Sequence, residues 1–320
     1  MKRIFLCAVM AMFALTAMAQ ELNVGSFNIR TSGPLKPGQE RPKKGDYSKF
    51  NGWDDRKQYL CDMINLEAFD LFGAQEVQKV QLDDMLAMLP DYDYIGVGAD
   101  DGVFKGEICP VFYRKDAVEK LDGGTFWFSP TPDVPSKGWD AKYQRICTWG
   151  LFRQKATGKK VCFMNIHLDH IGQQARLESA KQLVAYVKKN LKGVSVVIVG
   201  DYNVSQSSES YKHFASSKIL KDTYECAKYR FAPTGTFNGF NPRRYTTHRI
   251  DHIFVSKGTK VSRYGVLTYH YFRDMTAKEE AMDTLAPKEI KGENRDSKCI
   301  SDHYAIQSFI TLKGGKKGKK

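Results

Sequence analysis

Several motifs that mark common metal-binding and catalytic proteins are absent from this 320-residue sequence. None of its seven cysteines stands in a Cys-x-x-Cys pair, which disfavours a zinc site. There is no Gly-x-Ser-x-Gly motif and no Walker A loop, so neither serine-esterase nor nucleotide-triphosphatase chemistry has support. No apolar run approaches the ~20 residues that a membrane-spanning helix needs, so stable membrane insertion is not expected.

The first nineteen residues have the three parts of a secretory signal peptide. Lys2 and Arg3 form a basic start, residues 4–15 are mostly apolar, and Ala17-Met18-Ala19 is a small-residue cleavage site. We therefore expect the mature protein to be exported to the periplasm or the extracellular space. Residues 313–320, which contain five lysines, are expected to form a disordered basic tail.

The charge of the chain is less extreme than its total suggests. The formal net charge is +13, and it falls to about +6 when the two positive charges of the leader and the five of the tail are set aside. This excess fits an anionic substrate without identifying one. Six cysteines follow the leader, and we expect buried free thiols, with Cys147–Cys162 as the pair to test for a disulfide.

Strand-like and helical patterns mix along the chain without strict alternation. Residues 175–191 have the clearest helical period, and residues 194–199 follow as a continuous β-branched strand that is buried on both faces. Residues 145–153 and 160–167 are predicted to be the arms of a hairpin, and residues 108–113 and 124–128 are predicted to be short strands. We find no internal repeat and no interdomain linker, so residues 20–312 are expected to form one domain. The mixture favours a sheet-rich layered α/β fold over a doubly wound one.

Polar side chains interrupt or end the apolar runs at six places along the sequence. A carboxylate buried without a partner costs several kcal/mol, so such residues are paired, bound to a metal or placed at the mouth of a strand. Six places of one kind predict convergence on a single site. They are Asn28, Glu76, His167, Asp201 with Asn203, Asp251, and Asp302 with His303.

The residue types at these six places indicate a metal-dependent hydrolase. Carboxylate and amide oxygens without clustered cysteines suit a hard cation such as Mg²⁺ or Mn²⁺. An Asp that can orient a His, with further carboxylates to position water, suits the hydrolysis of a phosphate ester.

The segments that carry these residues, and the order in which they occur, resemble those of one known protein family. The set closely resembles the endonuclease/exonuclease/phosphatase superfamily, the metal-dependent DNase I-like group, from about Leu22 to Leu312. This resemblance implies a four-layer α/β (α+β) sandwich, in which two mixed β-sheets pack face to face with helices on the outside. The active site would lie where the strand ends meet. The segments are Ser26-Phe-Asn28, Gln75-Glu76, Asn165-Ile-His-Leu-Asp-His170, Gly200-Asp-Tyr-Asn203, Arg249-Ile-Asp-His-Ile-Phe254 and Ser301-Asp-His303.

The resemblance also implies which residues bind metal and which act on water. Glu76 would bind Mg²⁺ with help from Asn28, and Asp302 would hold a metal directly or through water. Asp201 would orient or deprotonate the attacking water, with Asn203 beside it. A one-metal and a two-metal site are both open.

The remaining predicted residues would act on the phosphate. His303, held by Asp251, would contact the scissile phosphate as a base or as a protonated electrophile, and His167 would stabilise charge on the phosphoryl oxygens. Arg145 lies in a segment that looks like one shared by bacterial members of the group. We interpret it as either a bidentate phosphate clamp or half of a structural ion pair. His170 is either a residue near the site or a surface residue.

These motifs predict the reaction and leave the substrate open. We expect an exported Mg²⁺-dependent phosphoesterase that hydrolyses a phosphodiester or phosphomonoester of a nucleic acid, a lipid head group, or a sugar or inositol phosphate. The alternative within the family is a nuclease, with Lys36–Lys44 and Arg243-Arg244 as candidate basic contacts. A catalytically silent binding protein on the same fold is a further alternative, and it would predict a lost motif residue. No partner protein is implied.

Overall fold

The structure is a computed structural model that describes residues 21–32, 51–274 and 295–313. Fifteen strands and five helices are assigned in these ranges. The strands are β1 (Glu21–Asn28), β2 (Leu71–Gln75), β3 (Tyr92–Ile95), β4 (Val111–Arg114), β5 (Val118–Trp127), β6 (Ile146–Gln154), β7 (Lys160–His167), β8 (Ser195–Asp201), β9 (Leu220–Asp222), β10 (Tyr229–Phe231), β11 (Asp251–Ser256), β12 (Lys260–Leu267), β13 (His270–Asp274), β14 (Arg295–Cys299) and β15 (Ala305–Thr311). The helices are α1 (Trp53–Glu67), α2 (Lys79–Met88), α3 (Gln173–Asn190), α4 (Glu209–Ser216) and α5 (Thr223–Cys226).

Thirteen of these strands form two large mixed sheets. The first sheet has the order β10-β12-β15-β1-β2-β4-β3, and the second has the order β5-β6-β7-β8-β11-β9. In the first, β1 runs parallel to β2, so Asn28 lies opposite Gln75. In the second, β7 runs parallel to β8 and β11 runs antiparallel to β8, so Asp201 lies opposite both His167 and Asp251. Register therefore aligns three of the predicted site residues in one row.

The apolar faces of the two sheets pack against each other and against the helices. The layer between the sheets is built from residues such as Val24 and Leu71 of the first sheet and Phe163 and Val199 of the second. On the outside, α1 and α2 bury side chains against the first sheet, and α3 and α4 cover the second. This arrangement confirms the four-layer sandwich of two mixed sheets with outer helices.

Two predicted strands differ from the observed ones for local reasons. The run 108–113 was expected to be one strand, but β4 begins only at Val111, and Ile108 makes isolated bridges instead. Pro110 lies between them and has no N–H to donate to a ladder. The run 124–128 was expected as a short strand, whereas β5 begins at Val118. Its first half alternates polar and half-buried residues because β5 is the edge strand of its sheet.

A two-stranded sheet of β13 and β14 leads into the predicted site and was not anticipated. Tyr271 of β13 stacks on Tyr59 of α1 with ring centroids 4.3 Å apart. β14 ends at Cys299, immediately before the segment 300–303. All six cysteines after the leader, including Cys147 and Cys162, are free thiols. No helix within the described ranges is long and apolar enough to cross a bilayer.

Candidate active site at the ends of the two sheets

The side chain of Asn28 joins the two sheets at the site. Its Nδ2 donates to Oε1 of Glu76 at 3.0 Å and to Oδ2 of Asp201 at 2.9 Å. Asn28 is fully buried at the end of β1, Glu76 directly follows β2, and Asp201 ends β8. One amide group therefore holds a carboxylate from each sheet in a fixed position.

Asp201 lies at the centre of the cluster. Its Oδ2 is 3.6 Å from Nε2 of His167 and 3.7 Å from Nε2 of His303, and its Oδ1 accepts from the backbone N–H of Asn203 at 2.8 Å. Burial raises the pKa of Asp201, and the charge of Asp251 adds to this effect, although the histidines and Asn28 oppose it. A carboxylate whose pKa is raised in this way is a better proton acceptor than an exposed one.

His303 is oriented by Asp251 at the start of β11. Oδ2 of Asp251 lies 2.8 Å from Nδ1 of His303. Burial alone would lower the pKa of His303, but the charges of Asp251 and Asp201 outweigh it and raise the pKa to about 10. The imidazole is therefore protonated at neutral pH in this arrangement. Of the two roles that the sequence left open, this favours the protonated electrophile over the base.

The site offers oxygen and nitrogen ligands that fit a divalent cation. Glu76, His167 and Asp201 each present a ligand atom, and these atoms lie within 4.8 Å of one another. Burial disfavours ionisation of Glu76, but nearby His167, Arg30 and the Asn28 amide outweigh it, so its pKa lies below the usual range. The ionised carboxylate of Glu76 with that of Asp201 close by offers the oxygen atoms that hard cations prefer.

Arg30 lies between two of the predicted metal ligands. Its Nη1 is 3.4 Å from Oε2 of Glu76, and its Nε is 3.6 Å from Oδ2 of Asp302. Burial raises the pKa of Asp302. The guanidinium thus places positive charge between carboxylates that would otherwise repel each other.

Backbone strain is concentrated around the same residues. Arg30, Glu76 and Asn203 all adopt positive φ, at 58°, 61° and 53°. Left-handed backbone is unfavourable for residues with a side chain, and it persists where the surroundings over-determine it. Here the backbone N–H of Arg30 donates to Oδ1 of Asn28 at 3.0 Å. The strain coincides with side chains that must point into the site.

Arg145 holds His167 and pairs with a residue that the motifs did not reveal. Its Nη1 lies 3.0 Å from Oε2 of Glu107 and 2.9 Å from Nδ1 of His167. A guanidinium can only donate, so the contact with Arg145 fixes the position of the His167 ring, whose Nε2 faces Asp201 and the amide of Asn203. Burial opposes ionisation of Glu107, but His167 and Arg145 lower its pKa to about 2. Of the two interpretations of Arg145, the ion pair is present.

Two further residues shape the site without having been predicted. Arg56 of α1 is fully buried, and its guanidinium donates to the carbonyls of Ile29, Arg30 and Ile300, which ties the exit of β1 to the segment before His303. Asp169 follows His167 by two residues, and its carboxylate accepts four backbone N–H groups. Asp169 lies inside a quoted motif, whereas a lone arginine on a helix gives no sequence signal.

The predicted residues fall into one cluster with two outliers. Asn28, Glu76, His167, Asp201, Asn203, Asp251, Asp302 and His303 are brought together at the strand ends. Arg145 lies one contact further out, behind His167. His170 is exposed and reaches the cluster only through Arg145, whose Nη2 is 3.3 Å from its Nδ1.

Comparisons with known proteins agree with this geometry. Residues 23–303 match the model of the endonuclease/exonuclease/phosphatase family. The mannosyl-6-phosphatase of Bacteroides thetaiotaomicron is 41% identical and superposes with a TM-score of 0.79, over 91% of this chain and 100% of that chain. An endonuclease/exonuclease/phosphatase of Bacteroides vulgatus is 32% identical, with a TM-score of 0.75 over 92% and 99% of the two chains.

More distant proteins share the fold or part of the sequence. TDP2 of D. rerio, 16% identical with a TM-score of 0.57 over 91% and 99% of the two chains, shows the fold alone. Uncharacterized protein L388 of Acanthamoeba polyphaga mimivirus is 29% identical over 171 residues, and the match spans 50% of this chain and 63% of that protein. With a family model covering most of its length and the strand-end cluster in place, the chain belongs to the endonuclease/exonuclease/phosphatase family, whose members are hydrolases of phosphate esters.

Proposed function

We propose that the chain is an exported, Mg²⁺-dependent phosphatase that hydrolyses the phosphate ester of a hexose 6-phosphate. The observation that carries the chemistry is the convergence of Glu76, Asp201, His167 and His303 within one buried cluster. The substrate class is supported by the likeness, over nearly the full length of both chains, to a protein described as a mannosyl-6-phosphatase.

The cation would be held by Glu76, with Asn28 and Asp302 beside it. When bound, Mg²⁺ supplies positive charge that polarises a phosphoryl oxygen. The oxygen-rich ligand set favours the binding of Mg²⁺ over that of zinc. The Arg30 guanidinium contacts both Glu76 and Asp302, so its positive charge would compete with a cation held by these carboxylates.

The residues around the reacting phosphate divide the work between proton transfer and charge stabilisation. Asp201, whose pKa burial raises, accepts a proton from the attacking water while Asn203 holds its other oxygen. Protonated His303 donates from Nε2 to a phosphoryl oxygen, and His167, whose ring Arg145 holds in place, stabilises the charge on another. As the new bond from water to phosphorus forms, the bond from phosphorus to the sugar oxygen breaks, and the sugar oxygen leaves with the electron pair and takes a proton from solvent water. Donors fixed before the reaction stabilise the developing charge without reorganising.

A substrate panel tests this proposal with the purified mature chain. Phosphate release would be followed from mannose 6-phosphate, glucose 6-phosphate and inositol phosphates, and cleavage from bis-p-nitrophenyl phosphate, single-stranded DNA, RNA and sphingomyelin, each with Mg²⁺ and with EDTA. We expect the hexose 6-phosphates to have the highest kcat/KM and EDTA to abolish turnover. Higher kcat/KM on DNA or RNA would replace the proposal by the nuclease alternative. No metal-dependent turnover on any substrate would favour the catalytically silent alternative.

Two variants connect any activity to this site. Asp201→Asn and His303→Gln keep the shapes of the side chains but remove the proton acceptor and the charged donor. Turnover that survives in both variants would contradict the site assignment. The exposed Asp122→Asn on edge strand β5 is the matched control, and we expect it to be unaffected.

The export part of the proposal rests on the leader at residues 1–19, which lies outside the described residues. Expressing the full chain in a Gram-negative host and determining the N-terminus of the extracytoplasmic protein by mass spectrometry tests it. We expect the mature chain to begin at Gln20. An uncleaved chain that stays in the cytoplasm would contradict export.

A further inference from the structure

A path of contacts leads from the catalytic cluster to an exposed aromatic ring. His167 contacts Arg145, and Nη2 of Arg145 lies 3.3 Å from Nδ1 of His170. The ring of His170 stacks on Tyr143, with centroids 5.7 Å apart and an interplanar angle of 22°. The exposed fraction of the residue rises along this path from 5% at His167 to 50% at Tyr143. A flat aromatic surface therefore stands directly beside the buried site.

One buried carboxylate fixes this surface in place. Oδ2 of Asp169 accepts the backbone N–H groups of Lys142 and Tyr143 at 3.1 and 3.2 Å, and Oδ1 accepts those of Ile171 and Gly172 at 3.0 and 2.8 Å. Asp169 is only 2% exposed. These hydrogen bonds hold residues 142–143 against residues 171–172. A ligand that binds here therefore loses no free energy in ordering these two segments.

His170 adds a hydrogen-bond donor to the edge of the aromatic surface. Because a guanidinium can only donate, Nδ1 of His170 accepts from Arg145. The proton of the neutral ring is then on Nε2, the nitrogen away from Arg145. Partial burial and the charge of Arg145 lower the pKa of His170, which keeps the ring neutral near pH 7. Nζ of Lys142, 5.3 Å from the centroid of the Tyr143 ring, is a second donor at this position.

We propose that Tyr143 and His170 form the subsite that binds the sugar ring of the substrate. The apolar face of a pyranose would lie against the Tyr143 ring, and a ring hydroxyl would accept from Nε2 of His170. The proposal rests on the proposed function and extends it, because nothing in the catalytic cluster itself distinguishes a sugar from another alcohol. An aromatic face combined with a few placed donors is the usual composition of a small-ligand site.

The surface fits one ring better than a nucleic-acid strand. Single strands are bound by successive aromatic side chains along a basic groove. Here the Tyr143 ring is paired with a histidine whose free nitrogen is a donor, and the pair lies next to the phosphate-binding residues.

Two substrates that differ only in the sugar ring test the proposal. Mannose 6-phosphate and ethyl phosphate are both phosphomonoesters of primary alcohols, so their leaving groups are chemically matched. We expect Tyr143→Ala to lower kcat/KM for mannose 6-phosphate about tenfold, mainly through KM, which corresponds to about 1.4 kcal/mol. Because Tyr143 also lies against the Arg145 guanidinium, the same variant can lower kcat/KM for ethyl phosphate, but we expect that loss to be clearly smaller than the loss for mannose 6-phosphate. Tyr143→Phe should retain activity because it keeps the ring.

Two further variants separate the donor from the stacking surface and from general effects. His170→Phe keeps an aromatic ring beside Tyr143 but removes both ring nitrogens, and we expect it to raise KM by a larger factor for mannose 6-phosphate than for ethyl phosphate. Tyr229→Ala removes a tyrosine that is 62% exposed on β10, the edge strand of the other sheet, and should change neither substrate.

Each outcome decides for or against the subsite. Equal losses on both substrates in Tyr143→Ala, or no loss on either, would overturn the subsite while the proposed function stands. A wild-type enzyme that hydrolyses ethyl phosphate but not hexose 6-phosphates would overturn the proposed function and the subsite with it. Thermal melting of each variant identifies any loss that comes from unfolding.

Discussion

Oδ2 of Asp251 lies 2.8 Å from Nδ1 of His303, although 52 residues separate them in the chain. Asp251 is the first residue of β11 in one sheet, and His303 lies two residues before β15 of the other sheet. The pair exists only because the two sheets pack face to face. It leaves Nε2 of His303 directed toward Asp201, 3.7 Å away.

Replacing Asp251 by Asn should impair turnover more than substrate binding. The amide can hold the imidazole in place, but it cannot stabilise the positive charge on His303. We expect kcat for mannose 6-phosphate to fall by about 100-fold or more, with KM little changed. Steady-state kinetics at saturating Mg²⁺ measures this, with Asp122→Asn as the control. A fall confined to KM would show that Asp251 acts on binding instead.

Replacing Glu76 by Gln should weaken metal binding. Gln keeps the oxygen that accepts from Asn28 but loses the negative charge that a cation requires. We expect the Mg²⁺ concentration for half-maximal activity to rise by about tenfold or more. Titrating activity against Mg²⁺ after EDTA treatment measures it. An unchanged Mg²⁺ requirement would mean that the cation binds elsewhere.

Replacing Arg30 by Gln should change metal affinity in the opposite direction. A cation that binds Glu76 and Asp302 must compete with the Arg30 guanidinium for these carboxylates. Removing the guanidinium also removes the electrostatic repulsion between it and the cation. We expect calorimetry to show Mn²⁺ binding tightened by about tenfold, and the metal-free protein to melt at a lower temperature. Arg153→Gln, which breaks an exposed pair with Glu119, is the matched control. Weaker Mn²⁺ binding would contradict this competition.

Replacing Arg145 by Lys should be costly despite the conserved charge. One ammonium group cannot reproduce the fork that reaches Glu107, His167 and His170 together. We expect kcat to fall by about 100-fold in Arg145→Lys, because the orientation of His167 is lost. Glu107→Gln should lower kcat less, and the double variant should be no worse than Arg145→Lys alone. Additive losses would indicate that the two residues act independently.

Acid stability should depend on a buried ion pair outside the site. Nη2 of Arg249 lies 2.8 Å from Oδ2 of Asp222. Burial opposes ionisation of Asp222, but His252 and Arg249 outweigh it and lower its pKa from 3.8 to about 2. A depressed folded-state pKa contributes stability above the unfolded value, lost as pH falls through the folded value. The contribution, about 2 kcal/mol, is therefore present above pH ~4 and disappears toward pH ~2.

Urea unfolding of wild type and Asp222→Asn checks this pH dependence. At pH 7 the variant should lose about 3 kcal/mol or more of its free energy of unfolding, because Arg249 is left buried without its counter-charge. Between pH 5 and pH 2 its unfolding free energy should fall less steeply than that of wild type. Parallel curves would show that Asp222 does not control acid stability.

The local sequence pattern was sufficient to identify most residues of the cluster at the strand ends. Glu76, His167 and Asp201 each end an apolar run, and a polar residue at that position is costly unless it has a partner. The helix predicted at 175–191 is α3, and the hairpin arms pair as β6 and β7. These features depend on neighbours within a few residues, which the sequence displays directly.

Other features depend on contacts that no local pattern records. Glu107 lies in a turn-rich loop and becomes part of the site only because β7 brings His167 beside it. Arg56 lies on a helix and Tyr143 on a loop, and neither has a neighbour in sequence that marks it. Their importance comes from Ile300 and His170, which are distant from them in the chain, with β6 and β7 lying between Tyr143 and His170.

The sequence by itself determined the sheet-rich layered character of the fold and the chemical character of the site, because hydrophobic periodicity and the residues at strand ends are local properties, and the family followed from the resemblance of its six ordered segments. Tertiary structure alone decided which strand ends meet, which charged groups surround His303 and which aromatic ring stands beside His170 and Arg145. These features depend on strand register, on the packing of the two sheets and on charges that burial brings together. The interacting residues lie far apart in the chain, so no local pattern records them.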